Sequence, residues 1–186
     1  FEDISGHLKK VKISDALLEP KEIYEIAVFL KASITLINQI KENPSLSLLN
    51  ELVLSLSGQP QLLNILQKTV DSEGNILDEA SFELSELRKN IKKLELKIRS
   101  KLQELVRKEE ISKFLQDTFI TQRSGRWVLP VRMDSKGLVP GVVHDVSKSG
   151  ETAFIEPLSI ISLSNELENL IAEAKAEEIR ILKEVS

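Results

Sequence analysis

Apolar positions along the chain change period more than once, and each change marks an element. Ile23, Ile26, Ala27, Leu30, Ile34 and Ile37 recur every three or four residues, the spacing of one helical face, and predict a helix over 20–41. Pro20 suits the first turn, and Glu19 and Glu22 suit the positive end of the helix dipole. Asn43-Pro44 ends it. LSLLNELVLSL, closed by Gly58, and QLLNILQKTV, opened by Pro60, predict two shorter helices. Residues 8–13 are amphipathic, either a helical turn or an extended arm. DSEGNILDEAS reads as a loop with a short extended piece around Ile76 and Leu77. A longer stripe follows: Leu84, Leu87, Ile91, Leu94, Ile98, Leu102 and Leu105, with Ser81 placed to cap it. The pattern runs over 82–115, and a helix of about 30 residues is roughly 45 Å long, which predicts a projecting arm.

Between Thr118 and Pro157 the period shortens. Thr118–Arg123, Arg126–Arg132, Gly141–Val146 and Thr152–Ile155 are β-prone runs. Ser124-Gly125 predicts a two-residue hairpin turn, and Lys148-Ser149-Gly150 a second turn. Pro130 predicts an edge or a break in the second strand. Residues 133–140 form a loop, and Pro157 closes the fourth strand. So small a sheet is marginal alone and needs helix ends or another chain against it. Helical spacing then returns with Leu163, Leu167, Leu170, Ala174, Ile181 and Val185, starting at Ser159 or Ser162. The expected fold is mainly α with a small β module: a helical core and two long antiparallel helices capped by a short hairpin and sheet. The expected segments are a helical core over 1–81, an outgoing helix over 82–117, a β module over 118–157 and a returning helix over 158–186.

Composition changes this picture little. Aromatic residues make up only 4%, which favours helix packing over a sheet-dominated core, and 29% charged residues suit long exposed helices. Cysteine is absent, which excludes disulfides, thiolate catalysis and cysteine-ligated zinc. No apolar run approaches the ~18 residues of a membrane span, and no signal segment opens the chain. A cytoplasmic protein without a membrane partner is expected. The chain opens at Phe1 without Met and stops at Ser186 inside a helical pattern, which reads as a piece of a longer protein.

Charge separates the two long helices. Arg88, Lys89, Lys92, Lys93, Lys97, Arg99 and Lys101 make one face of the outgoing helix basic, relieved by Glu95. The returning helix carries Glu166, Glu168, Glu173, Glu177, Glu178 and Glu184. The basic face could meet nucleic-acid phosphate, or it could be a solvated face opposed to the acidic helix. Glu104, Glu109 and Glu110 make its distal end less suited to DNA.

In the β module, Arg123 and Arg126 flank a tight turn, and Lys136 and Lys148 lie in loops. These four are the candidate nucleic-acid-binding residues; surface solubility is the competing reading. Trp127 reads as a core residue before a base-stacking one. His144-Asp145 lacks the further ligands of a metal site and the nucleophile elbow of a triad. His144 is therefore read as hydrogen-bonded within the strands, with neither Glu151 nor Glu156 pairing with it. His7 is read as an exposed side chain. No catalytic, cofactor or metal residue is assigned. Five basic residues stand against four acidic ones in 118–157, so the module alone should bind DNA weakly.

The strings FITQRSGRWVLPVR, VPGVVHDVSKSGETAFIEPL and LSNELENLIAEAKAEEIRIL resemble the second bacterial MutS-like family, MutS-II, and DSEGNILDEASFELSELR resembles the segment entering its long helix. The likeness runs from Phe1 to Ser186. It implies that the chain is the helical core, the lever helix, the clamp-like β module and the start of the returning lever. It further implies a homodimeric parent with an ATPase domain using ATP and magnesium, then a C-terminal Smr domain linked to nuclease activity. The family is associated with binding branched DNA, with suppressing recombination and, for some members, with collided ribosomes. The resemblance therefore implies a non-catalytic, DNA-engaging part of such a parent. The alternative is a structural or protein-interaction stalk, one that contacts ribosomes. The chain has no G-x-x-x-x-G-K-S/T, so ATP would belong to the parent's other domains. It departs from the family at Ser135, often aromatic there, and at Leu138, often basic, which weakens a phosphate-gripping role for the loop 133–140.

Overall fold

The computed structural model describes residues 2–13, 16–56 and 58–186, and they form a mainly α structure with one small antiparallel sheet. The helices are α1 (Ser5–Lys10), α2 (Pro20–Lys41), α3 (Ser47–Leu54), α4 (Pro60–Thr69), α5 (Phe82–Arg107), α6 (Glu109–Ser112) and α7 (Ile161–Val185). The strands are β1 (Thr121–Arg123), β2 (Arg126–Arg132), β3 (Gly141–Val146) and β4 (Thr152–Pro157). Two compact units result. One takes the residues up to Glu86 together with Ala174–Ser186, the other Leu87–Glu173, so α5 and α7 each contribute to both.

In the first unit the apolar face of α2 packs through Ile23, Ile26 and Ala27 against Leu66 and Val70, with Ile4 and Leu18 and the α7 residues Leu182 and Val185. Its far end buries Ile37 and Ile40 with Val53 of α3. Each such side chain contributes about 1.5–3 kcal/mol when fully buried. The expectation that no run is apolar enough for a membrane needs correction. By length and composition alone α2 would span one, because an 18-residue stretch of it carries at most two charged residues. Its packing in this core accounts for the apolar stripe. His7 is also corrected: α1 lies on α2, so its Nε2 is 2.7 Å from Glu25 and its Nδ1 3.5 Å from Glu22, and the ring is half-buried. The expected extended piece appears as a bridge between Val70 and Ile76, around a turn in which Asp71 accepts the amides of Glu73 and Asn75.

Ser81 caps α5 as its position predicts, accepting the Leu84 amide at 3.0 Å. The same hydroxyl donates to Glu177 of α7 at 2.7 Å. Arg180 donates to both oxygens of Glu177, at 2.6 and 2.7 Å. These contacts hold the Glu177 carboxyl well below its ordinary 4.5, at about 2, with the Arg180 hydrogen bonds the largest cause and burial opposing them.

In the second unit the sheet order is β1-β2-β4-β3. Leu129, Val131, Ala153 and Ile155 form one face and pack on Leu94, Ile98 and Leu102 of α5 and on Ile160, Leu163 and Leu167. Leu105 lies near Leu158 and Ser159, whereas Asn90 and Lys97 lie near Leu170 and Glu166, so the two helices run in opposite directions here. The expected stripe is the buried one, and α5 is continuous over it. The helix stops at Arg107 instead of continuing to 115. Lys108 is extended, and after the single turn of α6 the chain brings Leu115 beside Val131 in the sheet. That bridge fills the edge of β2 beyond the short β1.

The same geometry decides between the two readings of Pro130, for an edge position and against a break. β2 runs through it unbroken, paired with Phe154 of β4. Its carbonyl accepts Gln116 on the β1 side at 2.9 Å, so the missing N–H also faces that side, where the regular ladder has already ended. Ser124 and Gly125 have φ of +52° and +78°, a primed hairpin turn. At Gly141 an added Cβ would lie 2.3 Å from the Glu156 carbonyl, so β3 approaches β4 too closely for a side chain.

Candidate nucleic-acid interface

The sheet delivers its cations to two different ends. β2 runs antiparallel to both β1 and β4, so the Ser124-Gly125 turn lies at the opposite end from the β3–β4 turn that carries Lys148. Lys136 follows the single 3-10 turn Met133–Ser135, which is tied to the Lys148 end by the Met133 amide donating to the Glu151 carbonyl at 2.9 Å. Lys136 and Lys148 are both exposed and make no ion pair with any described residue. They share one end of the sheet; Arg123 and Arg126 flank the turn at the other.

The two arginines are differently committed. Arg126 bridges two acidic groups, with Glu156 at 3.4 Å and Glu168 of α7 at 2.9 Å. Glu156 is only 2% exposed, so this contact neutralises a buried carboxylate. His144 supplies its second partner, with Nε2 2.7 Å from Glu156. The expectation of a histidine bonded within the strands therefore holds, but the dismissal of Glu156 as its partner is corrected. The reason is a bulge: Val143 pairs with Ile155 and Asp145 with Phe154, which leaves His144 as the extra residue and turns its ring toward Glu156. Arg123 folds back over the sheet. Its guanidinium lies 4.1 Å from the Phe154 ring centre and 3.3 Å from Asp145, and its side chain keeps 36% exposure.

Trp127 packs at the edge of the second core, half-buried, with the Arg99 guanidinium 5.7 Å from its ring centre. The indole N–H is buried and finds no acceptor among the described residues. That surrounding supports the core reading over a platform for bases. Ser135 is buried and donates to Asp134 at 2.7 Å. This bond, with Arg132 adding to it, holds the Asp134 carboxyl below its ordinary range, so a fixed negative charge stands two residues from Lys136. Leu138 is 58% exposed. Among the described residues no cluster of His, Asp or Glu is grouped to hold a metal ion. Besides Glu156, sequence reasoning missed Glu168 as a partner of Arg126 and Arg99 as a neighbour of Trp127; both reach across from helices and no local spacing announces them.

No protein-family model matches the chain. Individual relatives do. The chain is 34% identical over 184 residues to Endonuclease MutS2 of Fusobacterium nucleatum. It is 37% identical over 188 residues to Endonuclease MutS2 of Listeria innocua and 37% identical over 186 residues to that of Caldicellulosiruptor bescii. The chain is similar to one part of these MutS2 proteins. Each alignment takes in 99–100% of the chain and 24% of the relative, so the chain spans about a quarter of the length of these MutS2 proteins. The similarity includes the whole β module and both flanking helices, the region in which the cations above are displayed.

Proposed function

We propose that this chain is the DNA-engaging lever and clamp of a MutS2-type protein and performs no chemistry itself. The observation that carries the reading is similarity along nearly the entire chain to proteins named Endonuclease MutS2, in a structure whose β module displays two unpaired lysines. Lys136 and Lys148 touch phosphates, and Arg123 adds to them from its half-exposed position. Arg126 reaches a phosphate only by leaving Glu168, so its first role is to hold the sheet to α7. Long cationic side chains beside loops follow a phosphate path and contribute affinity without sequence preference. The target is duplex or branched DNA, held by a homodimer that suppresses recombination. ATP, magnesium and DNA cleavage belong to the rest of the protein; this chain has no glycine-rich loop followed by Lys to cradle a triphosphate. His144 and Asp145 are structural.

The test is binding of the intact protein to branched DNA, duplex DNA and ribosomes, with residues 118–157 present or replaced by a short linker. Loss of DNA binding without the module supports the reading. Unchanged DNA binding with lost ribosome binding assigns the module to a ribosome-facing stalk instead. His144→Gln, which keeps a hydrogen-bonding group beside Glu156, is expected to leave cleavage at saturating DNA unchanged; abolished cleavage in a folded variant would overturn the non-catalytic assignment.

A further inference from the structure

The helix α5 carries a second charged feature, separate from the β module's loops. Lys93, Lys97 and Lys101 recur every four residues, with Lys92 beside them. At 1.5 Å per residue the row from Lys93 to Lys101 is roughly 12 Å long. Lys92, Lys93, Lys97 and Lys101 are exposed and make no ion pair with any described residue. Over Leu87–Arg107 the chain has eight basic and two acidic residues, although its net charge is -4. The row runs along the flank of the apolar stripe, which itself lies in the core. Lys93 and Lys97 border a cavity of about 370 Å³ with Glu166, yet neither closes a salt bridge with it.

Like charges four residues apart destabilise a helix. The same protein neutralises such charges elsewhere: on α7, Arg180 pairs with Glu177 and Glu184 at three- and four-residue spacing. Among the described residues, Lys92, Lys93, Lys97 and Lys101 of α5 lack that neutralisation. A polyanion lying on the row would supply it. Duplex DNA carries one negative charge per ~1.7 Å of axis, so a stretch as long as the row offers about seven phosphates. Lysine ammoniums on flexible stems suit a phosphate backbone, which presents charge without a fixed fork geometry. We infer that the lysine row of α5 is a second, sequence-independent contact for the DNA phosphate backbone. The inference rests on the DNA-binding reading above and extends the interface from the β module onto the helix.

The experiment compares three forms of the intact protein on one fluorescent 30-base-pair duplex, titrated over a range of salt concentrations. They are the wild type, an α5 variant (Lys92→Gln, Lys93→Gln, Lys97→Gln and Lys101→Gln) and a module variant (Lys136→Glu and Lys148→Glu). Far-UV circular dichroism checks that α5 persists, which removal of like charges favours. Each lost contact lowers the slope of log affinity against log salt by about 0.9. The α5 variant is expected to lose about two to four units of slope and at least tenfold affinity at low salt. An α5 variant matching wild type while the module variant weakens overturns this inference and leaves the DNA-binding reading standing. Two variants both matching wild type overturn both. If the α5 variant changes only self-association, seen by sedimentation, the row serves a second copy of the chain and the inference fails.

Discussion

Glu177 is buried and ionised at once, which only its partners allow. Ser81 and Arg180 hold its carboxyl at about 2. A carboxyl whose pKa is lowered by folding stabilises the native state above its ordinary 4.5, and that contribution fades as pH falls from 4.5 toward 2. Glu177→Gln should therefore be less stable than wild type at pH 7, with the deficit shrinking in acid. Urea unfolding of both proteins at pH 7 and pH 3 measures this; a deficit that grows on acidification would contradict it. Single residues also set the sheet. Gly141→Ala pushes a Cβ against the Glu156 backbone and should cost about 1–3 kcal/mol, the usual range for overpacking. Ser124→Asn should instead stabilise by a few tenths of a kcal/mol to about 1 kcal/mol, because Asn tolerates the positive φ that Ser124 adopts. Trp127→Ala should cost about 3 kcal/mol, the lower end for a tryptophan, since its ring is half-buried. Thermal and denaturant unfolding rank the three, and a Trp127→Ala loss below about 1 kcal/mol would mean that the ring is not part of the core.

Elements differ in how far local sequence determines them. The apolar stripe of α5 was legible because its period is intrinsic to the helix, and the Ser81 cap because it depends on a residue three positions away. The turn at Ser124-Gly125 was legible for the same local reason. The stop of α5 at Arg107 was not: nothing in LVRKEE breaks a helix, and the chain turns there because Leu115 and the 114–116 backbone pair with β2. Glu156 was misread because its partners, Arg126 and His144, lie thirty and twelve residues away and meet it only through strand pairing and a bulge. Among the candidate cations, exposure of Lys136 and Lys148 could be guessed from their loops, but the commitment of Arg126 to Glu156 and Glu168 could not. That network makes an element-level prediction. Glu156→Ala leaves Arg126 without its buried counter-charge and should cost about 3–5 kcal/mol, with unfolding of the β module preceding loss of the helices. Hydrogen exchange reads the order; uniform loss of protection, or none, would count against the network as the fastener of the sheet.

Across the whole molecule, charge is segregated rather than abundant. A net charge of -4 coexists with a basic α5 and a β module whose five basic and four acidic residues nearly balance. On the proposed reading such a surface would bind DNA weakly as a single copy; the relatives matched, of which the chain covers 24%, are about four times its length. The central claim is that the β module contacts phosphates and does so without reading sequence. The most direct measurement is a salt titration of the intact protein on duplex and on branched DNA, wild type against a variant with Arg123→Gln, Lys136→Glu and Lys148→Glu. Arg126 is left unchanged, because a glutamate there would face the buried Glu156 and unfold the sheet. The account predicts weaker binding to both DNA shapes, most pronounced at low salt, and a salt slope smaller by about 2–3. Identical affinities and identical slopes on both DNAs, in a variant that remains folded, would contradict it.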